Sequence, residues 1–185
     1  MIQSYNLTES DFRGERFKDV PGIMKGNNDV LNLTRPDIIR EIHQKYLAAG
    51  ADIIETNTFS SQPISMSDYH IAEYSNEITK AGCKIAREIA DEFTAIDPTK
   101  PRFVAGSIGP TNKTCSISPD VNNPAVRDIS FDEMVHAYKS QMTEMLLCDV
   151  DAFLIETIFD TLNAKAAIYA AEEAMNSIGK RIPLM

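Results

Sequence analysis

Hydrophobic positions along the chain recur with two periods. Ile38, Ile39, Ile42, Tyr46 and Leu47 follow the three-to-four spacing of one helix face. Thr34 stands ahead of them as an N-cap, with Pro36 in the first turn and Asp37 completing a weak capping box, and Gly50 stops the helix. Residues 51–56 then form a short β-branched run that predicts a buried strand. The pattern repeats: Ile78, Ala81, Ile85, Ile89 and Phe93 predict a helix over 75–93, which Pro98 and Pro101 break before a strand over 102–107. Ser130 and Glu133 make a clean capping box for a helix that buries Met134, Tyr138, Met142 and Met145 or Leu146, more as core packing than as a cofactor box. A strand over 151–157 follows. Asp160 caps an alanine-rich helix to about Ser177, Gly179 ends it, and 181–185 enters another strand. The first thirty residues are polar and glycine-rich, with turns at Pro21-Gly22 and Gly26-Asn27-Asn28.

Strands alternating with helices predict an α/β fold with a parallel sheet and helical crossovers. The stretches 57–73 and 108–129 exceed what a bare βα unit needs, and both follow strands directly. Parallel α/β folds build their sites from loops at the carboxyl ends of strands, so both insertions lie on the side where chemistry is expected. Ile54-Glu55-Thr56 closes one strand and Ile155-Glu156-Thr157 closes another, two units later. In a (β/α)₈ barrel, alternate strands fill the same interior layer, which brings Glu55 and Glu156 together at the mouth. Repulsion and burial then raise at least one pKa, or the pair takes up a cation or a ligand ammonium. The alternative is that each carboxylate only bonds a neighbouring loop, and spacing leaves both readings open.

The 18 basic and 27 acidic residues give a net charge of −9, which excludes the positive field of a nucleic-acid-binding or anionic-membrane-binding surface. No run is long enough to span a membrane, and the N-terminus carries no secretory pattern, so the expected location is the cytoplasm. Cys83, Cys115 and Cys148 form no C-x-x-C pair, which argues against a disulfide framework or a self-contained zinc site. His43 and His136 are expected on solvated helix faces; His70 lies in the first insertion with nothing to pair with it. Asn112 and Lys113 lack a glycine-rich phosphate loop, and Ser116 and Ser118 lack a base for nucleophilic chemistry. No residue stands out as catalytic.

GADIIETNTF at 50–59 resembles the second-strand signature of the homocysteine S-methyltransferase family. Gly109-Pro110-Thr111-Asn112, SISPDVN at 116–122 and IETIFDTLNAKA at 155–166 are similar to its cobalamin-dependent methionine synthase branch, as are MIQSY at 1–5, DFRGERF at 11–17 and KGNND at 25–29. The resemblance implies part of a single (β/α)₈ TIM barrel over 1–185, roughly strands two to five with their helices, lacking strand one and the C-terminal half. It implies a methyltransferase that moves a methyl group from methylcobalamin, recharged by 5-methyltetrahydrofolate, to zinc-bound homocysteine to form methionine. Glu156 matches the family's acidic residue at the end of strand four, which holds the amino-acid end of homocysteine. Asn57, Thr58, Gly109 and Glu55 are carried to the same mouth as substrate-binding candidates. The family's zinc cysteines fall outside these residues, so no metal or cobalamin is expected on this chain, and the chain alone is expected to be inactive. Its partners are then homocysteine and the cobalamin and folate modules, with neither nucleic acid nor membrane. Half a barrel also exposes sheet edges, which predicts self-association. Two alternatives are a stand-alone homocysteine S-methyltransferase using betaine or S-methylmethionine, and a non-catalytic fragment that packs with a partner carrying the rest of the barrel.

Overall fold

Strands β1 (Ile53–Glu55), β2 (Phe103–Ile108) and β3 (Ala152–Ile155) lie parallel and in chain order in the computed structural model, which describes residues 1–185. Ile53 pairs with Phe103 and Ala105 with Ala152. The run at 181–185 joins as a single parallel bridge, Leu184 to Phe153. Around it the Phe153 N–H donates to the Pro183 carbonyl, the Met185 N–H to that of Phe153, and the Ile155 N–H to that of Met185, each at 2.9 Å. The expected fourth strand thus takes its place beside β3, though it is short.

Seven helices accompany the sheet: α1 (Glu9–Arg13), α2 (Leu31–Thr34), α3 (Pro36–Ala48), α4 (Pro63–Ser67), α5 (Ser75–Ile96), α6 (Phe131–Leu147) and α7 (Thr161–Ile178). The buried strand residues Ile54, Val104 and Phe153 share the face on which α3, α5, α6 and α7 pack. At Gly106 the approach of α6 is close enough that a Cβ would lie 2.7 Å from the Met145 sulfur. Ile53 and Phe103 point the other way and stay 52% and 44% exposed. The amino-terminal part of this second face is therefore bare, although Ala105 and Ser107 further along it are buried, whereas parallel sheets are ordinarily covered on both sides. No helix is long and apolar enough to cross a membrane.

The helix signals hold at two starts and one end. Ser130 and Glu133 form the reciprocal capping box of α6, Asp160 accepts the Leu162 and Asn163 N–H groups at the start of α7, and Gly179 closes α7 in the left-handed conformation. Met134, Met142 and Met145 are fully buried in the core. Two expectations are corrected. Thr34 does not cap α3; it ends α2, and Arg35 occupies the cap position with its guanidinium on Asp37 at 3.0 and 2.9 Å. The reason is that the first thirty residues are packed. Phe12, Phe17, Met24, Val30 and Leu31 all enter the core and deliver the chain into α3 already helical. His43 is not solvated but 6% exposed, because it falls between Ile39 and Leu47 on the buried i, i+4, i+8 line of α3. Its charged sequence neighbours lie on other faces of the helix.

Candidate active site

Beyond the carboxyl ends of β1 and β2 a ladder of hydroxyl groups ties the strands together. The Thr58 hydroxyl donates to the Ser107 carbonyl at 2.8 Å, Thr56 and Thr58 share a 2.6 Å hydrogen bond, and the Ser107 N–H donates to the Thr56 hydroxyl at 3.0 Å. With the Thr58 proton spent on the carbonyl, the shared bond runs from Thr56 to Thr58. Gln141 of α6 closes the assembly from below, donating to the Thr58 carbonyl at 2.6 Å. Thr58 is 0% exposed, so it braces the mouth from beneath and presents no atom to a ligand.

The brace presents Ser107 to Glu156. The Ser107 hydroxyl donates to Glu156 Oε1 at 2.5 Å, and the Glu156 N–H donates to the Ile108 carbonyl at 3.0 Å. The half-buried carboxylate is thereby fixed on the carboxyl rim of the sheet, over β2. Immediately afterwards Thr157 adopts φ 61°, a left-handed conformation that a β-branched residue rarely takes. Glu55 stands at the end of β1 with no hydrogen bond from the chain. Burial, together with the charge of Glu156, raises its pKa above the ordinary carboxylate value. Each of the two readings of this pair holds in part. Glu156 is hydrogen-bonded by a neighbour, while Glu55 feels Glu156 electrostatically and stands exposed without a partner from the chain.

Asn57 and Gly109 hold loops in place. Asn57 donates to the Asn28 carbonyl at 2.9 Å and to the Asn32 side chain at 3.0 Å, tying the rim to the N-terminal segment. The Gly109 N–H donates to the Phe59 carbonyl at 2.9 Å, and its own carbonyl accepts the Tyr138 hydroxyl at 3.1 Å. A Cβ on Gly109 would come within 2.7 Å of that Phe59 oxygen, so only glycine lets the two post-strand loops meet. The second loop is also clamped from α7: Asp160 accepts the Ser116 N–H at 3.0 Å and Asn163 accepts the Cys115 N–H at 2.9 Å. Burial works to raise the Asp160 pKa, but the hydrogen bonds from Ser116, Leu162 and Asn163 outweigh it and hold it below the ordinary value. Glu55, Asn57, Gly109 and Glu156 therefore share the carboxyl-end rim, and Thr58 lies under it.

The family model described as homocysteine S-methyltransferase matches residues 1–185. The chain belongs to that family. Among solved structures it is similar to the homocysteine methyltransferase MmuM from Escherichia coli. In the metallated form the identity is 19% and the TM-score 0.64, over 83% of this chain and 52% of that one. The oxidized form gives 20% and 0.63, over 83% and 51%, and the apo form 18% and 0.59, over 85% and 52%. At this identity the likeness establishes a shared fold, and this family member spans about half the length of those chains.

The thiols of this homocysteine S-methyltransferase domain do not fit a zinc site. Cys83, Cys115 and Cys148 are all buried, and burial raises each thiol pKa, which disfavours the thiolate that binds zinc. No three His, Cys, Asp or Glu side chains converge on a common point.

Sequence reasoning missed Ser107 and Gln141, which carry no motif of their own. A signal for Ser107 existed: it lies on the same face of the sheet as the two glutamates, two residues beyond Ala105, which pairs with Glu55, while its own partner Leu154 stands two residues before Glu156. Asn163 and Asp29 were also missed, because what each bonds to is remote in sequence.

Proposed function

We propose that these residues form the substrate-gripping rim of a homocysteine methyltransferase, in which the Glu156 carboxylate holds the ammonium group of homocysteine. The observation that carries this reading is the Ser107–Glu156 hydrogen bond at 2.5 Å, which fixes one carboxylate oxygen and leaves the other for a ligand. Glu55 supplies a second negative charge beside it, and an ammonium between the two relieves their repulsion. Asn57 and Gly109 set the shape of the mouth, and Thr58 holds the strands beneath it. The sequence runs at 116–122 and 155–166 support the cobalamin-dependent methionine synthase branch, as does the long second loop fastened to α7 by Asp160 and Asn163. Zinc and cobalamin are, in this proposal, brought by polypeptide outside these 185 residues, because the three thiols here do not suit a metal. Methyl transfer is accordingly not expected of this chain alone.

NMR titration, which reaches the millimolar range, tests the ammonium assignment. Homocysteine is expected to shift the Glu156 and Ser107 amide signals saturably, whereas 4-mercaptobutanoate, which lacks only the amine, is expected to leave them in place. Equal responses to both compounds would remove the role given to Glu156.

A further inference from the structure

A pocket of about 480 Å³ opens on the same end of the sheet as the Glu156 rim, outside the Asn57–Asn28 tie. Asp29, Asn57, Ser60, Asp68, Tyr69 and Asn112 line it, and no lysine or arginine does. Asp29 is 4% exposed, and one of its oxygens, Oδ2, accepts the Ser60 N–H at 3.0 Å. The Phe59 N–H also draws on the carboxylate, but no well-formed hydrogen bond reaches Oδ1, which keeps some access to solvent. In a residue this deeply buried, the accessible atom is the one that faces the pocket. A carboxylate oxygen that opens on a pocket without a strong partner from the chain is available to the donor group of a ligand.

Two further groups converge there. The Tyr69 hydroxyl makes no hydrogen bond within the chain and lines the pocket together with Asp68 and Asp29; burial and the charges of these two raise its pKa. Asp68 is held at the rim by Asn112, whose amide donates to its two oxygens at 2.8 and 2.7 Å. The pocket thus offers a buried anion, a free hydroxyl and a second carboxylate. Two acids with no third His, Cys, Asp or Glu beside them are too few charged ligands for a tightly held metal ion. The volume suits an organic molecule instead.

We propose that this pocket binds the ammonium group of a small organic cation, with Asp29 as the buried counter-charge and Asp68 at the entrance. This site is separate from the Glu156 rim and stands or falls independently of it. Burial holds the Asp29 pKa up to about 7, so above that pH the pocket carries an uncompensated charge for the ligand to neutralise.

The test uses n-butylammonium as the probe and the uncharged n-butanol as its control, in NMR titrations of the 185-residue chain at pH 8. Butylammonium is expected to shift the Ser60 and Tyr69 amide signals saturably, and butanol is not. Asp29→Asn, which keeps the shape and removes the charge, is expected to weaken binding on the order of ten- to a hundredfold. Asp68→Ala, at an exposed position that tolerates change, is expected to weaken it severalfold. The Glu156 amide reports the substrate rim in the same spectra, so the failure of one site is seen apart from the other. Equal shifts from butylammonium and butanol would overturn the proposal, as would unchanged affinity in the two variants.

Discussion

Two buried groups in this domain have opposite pH dependences, and each single substitution should expose the other. Asp29 has its folded pKa pushed up to about 7 from 3.8, by burial against the weaker pull of the Ser60 and Phe59 N–H groups. The folded state therefore keeps a proton that the unfolded state has released, and stability falls as pH rises from about 4 to 7. His43 has its folded pKa pushed down to about 4 from 6.5 by burial alone, with Nε2 unpartnered. Here the unfolded state takes up the proton first, so stability is lost as pH falls from 6.5 toward 4. Each slope reaches roughly 1.4 kcal/mol per pH unit, which makes the two effects on the order of 3–4 kcal/mol each over their windows. In the wild type they nearly cancel between about pH 4.5 and 6.5. The assay is urea unfolding followed by circular dichroism at half-unit steps from pH 4.5 to 7.5, with each variant's change in stability read beside that of the wild type. Asp29→Asn is expected to lose roughly 2–3 kcal/mol on going from pH 6.5 down to 4.5, as the His43 slope is unmasked. His43→Phe is expected to lose a similar amount on going up from pH 4.5 to 7, as the Asp29 slope is unmasked. Three parallel profiles would refute the reasoning, since neither group would then be titrating differently in the two states.

Other substitutions probe the scaffold of the mouth. Asp160→Ala removes the α7 cap and the tie to Ser116. It is expected to cost about 2–4 kcal/mol, seen as a melting-temperature drop of roughly 4–16 °C, and to speed proteolysis within 113–129. Because the Asp160 pKa is held low, that cost should be full above the ordinary carboxylate pKa and fade as pH falls through the folded value. Gly109→Ala places a methyl 2.7 Å from the Phe59 oxygen, and thermal unfolding should show a loss of about 1–3 kcal/mol. The bare face carrying Ile53 and Phe103 is expected to drive self-association of the chain at high concentration. Light scattering should report it, and Phe103→Glu should shift the population toward monomer.

The elements that could be read from the sequence were those whose evidence is local. The Ser130–Glu133 box, the Asp160 cap and the Gly179 stop each need only a few neighbouring residues, and all three stand where the pattern puts them. The order of strands followed from the alternation of runs, because parallel neighbours are joined by the helices between them. What escaped was set by distant contacts. The N-terminal segment reads as turns until Phe12, Phe17 and Met24 are seen to pack into a core built by α3 and α5. His43 was misplaced because the charges beside it in sequence belong to other faces of α3; the phase of Ile39 and Leu47 decides its position. At the mouth, the repeated Ile-Glu-Thr marked Glu55 and Glu156, but only the fold shows Ser107 holding one of them and leaving the other free.

Homocysteine affinity in the Glu156→Gln variant, measured beside the wild-type domain, tests the central claim most directly. Replacing the carboxylate by its neutral isostere keeps a hydrogen-bond partner for Ser107 and removes the charge that faces the ammonium. The account predicts a loss of about 1.5–3 kcal/mol, on the order of ten- to a hundredfold in affinity, with the melting temperature nearly unchanged. Wild-type affinity in that variant would contradict it.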